Sequence, residues 1–205
     1  MAASPGRDGH EEYTTPEPLT EEQLRAVHVN GLAPLTRPIE IADYDPAWPT
    51  LFAREAARIR SSLSERVVRL EHVGSTAVPG LAAKPRIDLL LAVADTADEA
   101  AYVPALGAAG YVLHIREPDW YEHRLFKGPD TDINVHVFSA GCPEIDRMLL
   151  FRDWLRNRPD DRQLYERTKR ELARRDWTYV QHYADAKADV IAEIMQRAQG
   201  RGGGV

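Results

Sequence analysis

Apolar positions along the chain follow two periods, and the alternation between them lays out the elements. Between Ala47 and Ser62, Leu51, Phe52, Ala56 and Ile59, continued by Leu63, recur at helical spacing and predict one apolar helix face. Asp45 would cap this helix, with Pro46 at its first position. Glu55 falls inside the stripe, which predicts a structural carboxylate answering a buried cation or backbone donor. Arg66 to Val73 predicts a strand, and Ile39 and Ile41 alternate as in a short one. Ile87 to Val93 is apolar on both faces, the pattern of a central strand. Asp95 or Thr96 would cap a helix running to about Ala109, ended by Gly110. Tyr111 to Arg116 and Tyr121 to Phe126 predict two further strands. Ile133 to Phe138 alternates, with Ile133, Val135 and Val137 on one face and Asn134, His136 and Phe138 on the other. The sheet is therefore expected to be mixed, its last two strands forming a hairpin.

From Pro143 the period is helical throughout. Ile145, Met148, Leu149 and Leu155 form a stripe to about Asn157, Asp160 would cap a second helix through Leu164, Thr168 and Leu172, and Thr178 a third to about Ala198. Projected on that third helix, Lys187 falls at the centre of a stripe with Val180, Tyr183, Ala184, Ile191 and Ile194. A lysine there must snorkel or meet an anion. Arg152, Arg156 and Lys169 read as solvated or ion-paired helix residues. Residues 1–36, rich in Pro, Gly, Glu and Thr, are expected as a flexible extension, with a short helix from Thr20 to His28 signalled by the capping-box pair Thr20 and Gln23. One domain then spans 37–198, an α/β core over 37–139 and helices over 143–198, before a disordered tail at 199–205.

Composition narrows the classes. A chain of 205 residues with formal net charge −6 is long enough for a core and is not built as a dedicated nucleic-acid binder. Its one cysteine, Cys142, excludes an internal disulfide and fits a reducing, cytoplasmic setting. No apolar run has membrane-spanning length, and the N-terminus lacks the apolar centre of a signal peptide.

The chemistry concentrates in EHVGSTAVPGLAAKPRIDLLLAV, residues 71–93. Asp88 stands among Ile87, Leu89, Leu90 and Leu91, a costly place for an unanswered carboxylate. Gly74 and Ser75 follow a strand directly, where backbone N–H groups and a hydroxyl can cradle a phosphate. His72, His123 and His136 all fall on or beside predicted strands. Since His123 opposes Glu122 and Arg124 on its strand, only one set can face a site, and Arg124 is the one expected to contact phosphate or carboxylate.

The string HVGSTAVPGLAAKP, with YDPAWPTLF before it and NVHVF and LLFRDWLR after it, closely resembles the GrpB (UPF0157) family from about Ile39 to Ala198. Its Gly-Ser…Asp spacing is similar to the signature of the DNA polymerase β-like nucleotidyltransferase fold. The resemblance implies an α+β fold, a mixed sheet flanked by helices with a C-terminal helical portion. It also implies a site that binds a nucleoside triphosphate or another phosphorylated small molecule and transfers a nucleoside monophosphate to a small acceptor. Asp88 and His136 would then be catalytic. Gly74, Ser75, Lys84, Arg124, Asn134, Tyr183 and Lys187 would hold phosphate or substrate. Asp88, His136 and Asp132 would hold a divalent cation, magnesium or manganese. Active members of that fold usually carry a second carboxylate where this chain has Leu90. The alternative is thus a non-catalytic module that senses a ligand or stabilises a protein partner, in keeping with the fusion of such domains to dephospho-CoA kinase.

Overall fold

The computed structural model describes residues 19–200; the expected extension over 1–18 and the last residues of the tail lie outside them. Five strands, β1 (Arg69–Val73), β2 (Ile87–Val93), β3 (Val112–Glu117), β4 (His123–Lys127) and β5 (Ile133–Ser139), form one sheet in the order β1-β2-β5-β4-β3. β2 and β5 pair in parallel at its centre and all other pairs are antiparallel. The sheet is mixed and α+β, with the expected β4–β5 hairpin.

Period-two alternation gives the sheet two different faces. Leu70, Ile87, Leu89, Leu91, Ile133, Val135, Val137 and Phe126 pack against α2 (Trp48–Leu63) and α3 (Val103–Ala108). Val73, Leu90, Ala92 and Phe138 lie on the other face, under Cys142, Ile145 and Leu149 at the start of α4 (Pro143–Asn157). Only part of this second face is covered by apolar residues, and the polar positions of β2, β4 and β5 occupy the rest. A third cluster joins Val78 and Leu81, in the connection between β1 and β2, to Leu155 of α4, Tyr165 of α5 (Pro159–Ala173), and Val190 and Ile194 of α7 (Ala188–Ala198). The C-terminal helices thus brace the connection that carries Gly74, Ser75 and Lys84.

Glu55 is fully buried, as the α2 stripe predicts. It accepts from Tyr111 Oη (2.7 Å) and Thr131 Oγ1 (2.8 Å), with Arg54 and Arg58 beside it.

Several boundaries differ from expectation. Residues 19–36 are docked rather than a flexible extension. Helix α1 (Glu21–Val27) has both hydrogen bonds of the Thr20–Gln23 capping box and buries Leu24, His28 bridges to Ile115, and the Leu35 N–H donates to the Thr178 carbonyl. The Ile39–Ile41 segment is not a strand; its one ladder contact is the bridge from Ala42 to Ala83. Asp45 acts just before α2, accepting from the Ala47 N–H, while Ala47 is the N-cap. The helix expected over 95–109 shrinks to a 3₁₀ turn, Glu99–Ala101, and the short α3, because Pro104 brings no N–H and fits only the first turn of a helix. α5 begins at Pro159, which places Asp160 in its first turn, favourable against the helix dipole. The single helix expected from Thr178 to Ala198 is two, α6 (Val180–Asp185) and α7, with Ala186 and Lys187 between them and Lys187 as the N-cap of α7. No helix among the described residues is long and apolar enough to cross a membrane.

Candidate functional site

Asp88 is the pivot of the polar half of the second face. Cross-strand register sets it beside Val73 on β1 and Asn134 on β5, and sets His136 beside Leu125 and Asn134 beside Lys127 on β4. Asn134 Nδ2 donates to Asp88 Oδ1 (2.8 Å), Lys127 Nζ donates to Asn134 Oδ1, and His136 Nε2 lies 3.7 Å from Asp88 Oδ1. Burial alone would raise the Asp88 carboxyl. The nearby His136 ring, the Asn134 hydrogen bond and the charge of Lys84 outweigh it and hold Asp88 near 2. This carboxylate is ionised at neutral pH and already answered by protein groups.

Gly74 is built around the same carboxylate. Its backbone has φ 69° and ψ −171°, a region open essentially to glycine, and a Cβ there would stand 2.6 Å from Asp88 Oδ2. Ser75 opens a 3₁₀ turn, Ser75–Ala77, near Tyr165 of α5. Thr76 bridges His72 and the Arg86 carbonyl, fixing the end of β1 to the start of β2.

Several lysines gather on the Asp88 side of the sheet and beside the C-terminal helices, with Asp132 also acting on Lys127 and Glu166 on Lys169. Lys84 and Lys187 both place their ammonium groups by the Tyr183 ring, 5.2 and 4.9 Å from its centroid, and Lys169 sits 4.8 Å from that of Tyr165. Burial, with repulsion from Lys187 and Arg86, lowers Lys84 to about 8; burial, with repulsion from Arg86, does the same to Lys127; and burial, with repulsion from Lys187, takes Lys169 to about 7. Lys84 is lowered by the charges of Lys187 and Lys127, and Lys169 by those of Lys187 and Lys84, so these ammonium groups lie near one another. Lys84 and Lys187 form no ion pair among the described residues. The buried Tyr183 hydroxyl also has no hydrogen-bond partner there, although buried hydroxyls are nearly always satisfied.

A second line of groups reaches Asp88 along β5. Glu117 Oε2 lies 2.6 Å from His123 Nδ1, His123 Nε2 lies 3.2 Å from His136 Nδ1, and His136 faces Asp88. Hydrogen bonds join Glu117, His123 and His136, while the 3.7 Å gap from His136 to Asp88 is an electrostatic approach and not a hydrogen bond. His123 is kept in place by stacking on Phe138 and by the edge of Trp120, in a turn where Tyr121 and Glu122 hold positive φ values of 53° and 51°. Non-glycine residues at positive φ are costly, and such strain persists where surrounding structure enforces it.

The sequence-derived set divides accordingly. Gly74, Ser75, Lys84, Asp88, Asn134, His136, Tyr183 and Lys187 are drawn together. Arg124 is not among them: it points to the opposite face, where it binds Glu99 (2.6 Å), which it shares with Arg116, and Glu122. His123, on the other side of the same strand, is the residue facing the site. Asp132 is also elsewhere, in a two-point pair with Arg86 at the β2 entrance. His72 lies on the α2 face, stacked on Phe52, and burial lowers it to about 4. Lys127 and Lys169 were not legible as site residues. Lys169 is buried, and with Glu166 it clamps the Ala82 peptide, Lys169 Nζ donating to the carbonyl and Glu166 Oε2 accepting from the N–H. Arg152 and Arg156 likewise bind backbone, at the His72 and Ala77 carbonyls, so neither is a freely solvated helix residue. A separate cavity of about 360 Å³, lined by residues 35–39 and 175–178, contains none of these groups.

With this geometry in view, comparison with known proteins places the chain. Residues 38–197 match the family described as GrpB protein, and the chain belongs to that family. It is 61% identical to a UPF0157 protein of Halalkalibacterium halodurans, over 88% of this chain and 93% of the relative. A UPF0157 protein of Streptomyces coelicolor is 48% identical over 78% of this chain and 84% of its own length. The dephospho-CoA kinase of Mycobacterium tuberculosis is 30% identical over 78% of this chain but only 46% of the kinase. Among solved structures, conserved protein GrpB from Enterococcus faecalis superposes with a TM-score of 0.70 at 30% identity, covering 79% of this chain and 98% of that one.

Proposed function

We propose that this chain binds a phosphorylated small molecule, a nucleoside triphosphate being the first candidate, at the polar half of the second sheet face beside the C-terminal helices. The observation that carries the reading is the lysine cluster. Lys84 and Lys127 flank the engaged carboxylate of Asp88, and Lys187 lies by Lys84 at the Tyr183 ring. Burial depresses Lys84 and Lys127, with repulsion from Lys187, Arg86 and Lys127 added at Lys84 and from Arg86 at Lys127. Holding cations so close costs stability unless an anion completes the set. An oligophosphate does so, and the Tyr183 hydroxyl and the Ser75 turn supply neutral contacts. Likeness to proteins named dephospho-CoA kinase supports a setting in which phosphorylated small molecules are handled.

The reading is a binding site first. Transfer of a nucleoside monophosphate would need further charge on the sheet, and Leu90, where a second carboxylate would stand, is fully buried under α4. That burial favours the ligand-binding module over the transferase.

A melting scan tests the reading. A ligand at about a hundred times its Kd adds roughly 2.7 kcal/mol. For a chain of this size that shifts Tm by roughly 5–10 °C. Nucleoside triphosphates and inorganic triphosphate at millimolar concentration are expected to produce such a shift. A flat response to every phosphorylated compound would remove the phosphate pocket as an explanation of the lysines.

A further inference from the structure

The nucleotidyltransferase resemblance implies a divalent cation, yet the groups around Asp88 are a poor cage for one. Magnesium and manganese take several oxygen donors, usually including one or two carboxylates, in near-octahedral geometry. Here Asp88 and His136 come within 3.7 Å of each other, but no third acidic, histidine or cysteine side chain joins them among the described residues. Asp132 is held by Arg86 through both carboxylate oxygens. Asp88 Oδ1 already accepts from Asn134, and Oδ2 lies against the Gly74 backbone. The position two residues along β2 is Leu90, with no exposure. A dication at Asp88 would also stand among Lys84, Lys127 and Lys187, whose charges already repel one another. The positive charge that a metal would bring is therefore already present as ammonium groups, and the donors a metal would need are spent on other partners.

From this arrangement we infer that Lys84, Lys127 and Lys187 take the place of a divalent cation, so that the pocket takes its phosphorylated ligand as the free polyanion and not as a metal chelate. The inference rests on the phosphate-binding reading and adds the ionic form of the ligand to it. Lys127 reaches the site from β4 through Asn134, Lys84 from the braced connection, and Lys187 from the α6–α7 junction beside Tyr183. Charges thus arrive from three separate elements, a layout that can surround an oligophosphate without a metal bridging its oxygens. Asp88 in this scheme anchors Asn134 and His136 and tempers the lysines.

The test is calorimetric titration of inorganic triphosphate into the full chain, once in EDTA and once in excess magnesium or manganese. Binding in EDTA is expected, with affinity falling by about tenfold or more, 1.4 kcal/mol, when metal converts the ligand to its chelate. Binding that appears only with metal overturns the inference and leaves the phosphate pocket standing, whereas silence under all conditions overturns both. Asp88→Asn gives an independent arm, with its fold checked by melting temperature. Loss of a carboxylate next to a polyanion is expected to tighten binding in EDTA, whereas a folded Asp88→Asn chain that binds more weakly contradicts the inference.

Discussion

Replacing Glu55 with leucine is expected to destabilise the fold by about 3–5 kcal/mol, the range for removing one member of a buried charged network. The volume is nearly conserved, so the cost comes from what is left behind. Tyr111 Oη and Thr131 Oγ1 both donate to the Glu55 carboxylate, and Tyr111 is 2% exposed, so leucine leaves the buried Tyr111 hydroxyl only the long 3.5 Å approach to the Glu55 backbone carbonyl. Each such orphan costs about 1–3 kcal/mol. Arg54 and Arg58 lose a counter-charge as well, though both are exposed enough to recover solvation. Burying the Glu55 charge also has a cost, and relief of that cost works in the opposite direction. It does not win, because the donors remain when only the acceptor is removed. The double variant Glu55→Leu with Tyr111→Phe removes one orphan and is expected to regain part of the loss. Urea denaturation of the two variants decides the matter. A Glu55→Leu chain within about 1 kcal/mol of the parent, or a double variant worse than the sum of its parts, would show that the carboxylate does not organise this side of the core.

Gly74→Ala is expected to damage fold and ligand site together. At φ 69° and ψ −171° the backbone conformation alone costs a non-glycine residue about 1–3 kcal/mol. The new methyl group would also stand 2.6 Å from Asp88 Oδ2, inside any tolerable contact. Either the turn or the carboxylate must move. Because Asp88 orients Asn134, which in turn receives Lys127, the displacement passes to the lysines, and triphosphate affinity is expected to fall by about tenfold or more. Gly80, also at positive φ but with open space about it, is the control: alanine there carries the conformational cost without the clash and is expected to spare binding. Equal affinities for the two variants would mean that the Gly74–Asp88 contact does not set the site.

The parts of the chain that were legible are those where pattern and burial agree. β2 is apolar on both faces and proves central, β5 alternates and divides its residues as expected, and the α2 stripe includes a buried Glu55. The Thr20–Gln23 capping box correctly marks α1, although the composition around it suggested a loose extension. The sequence points Arg124 to the site, but β4 is buried on both sides, so its alternation carries no sign of which face is which. Lys127 was invisible as a site residue because only the β4–β5 register, set by pairing across a turn, places it beside Asn134. Lys169 looks like any polar residue of an amphipathic helix, and its burial depends on where α5 crosses the β1–β2 connection. The apolar stripe that points to Lys187 requires one continuous helix. The break between α6 and α7 removes that stripe, yet it brings the ammonium to Tyr183 and into the same cluster.

The pocket itself is tested most directly at Lys84, whose ammonium group is by the Tyr183 ring and forms no ion pair among the described residues. Calorimetric titration of inorganic triphosphate into the parent chain and into Lys84→Met compares the site with and without one of its charges. Methionine keeps the length and removes a dehydrated cation, so the variant is expected to melt at or above the parent temperature. Its triphosphate affinity is expected to drop by roughly 1.5–3 kcal/mol, the worth of a hydrogen bond to a charged group. A Lys84→Met chain that binds triphosphate as tightly as its parent would contradict the lysine pocket.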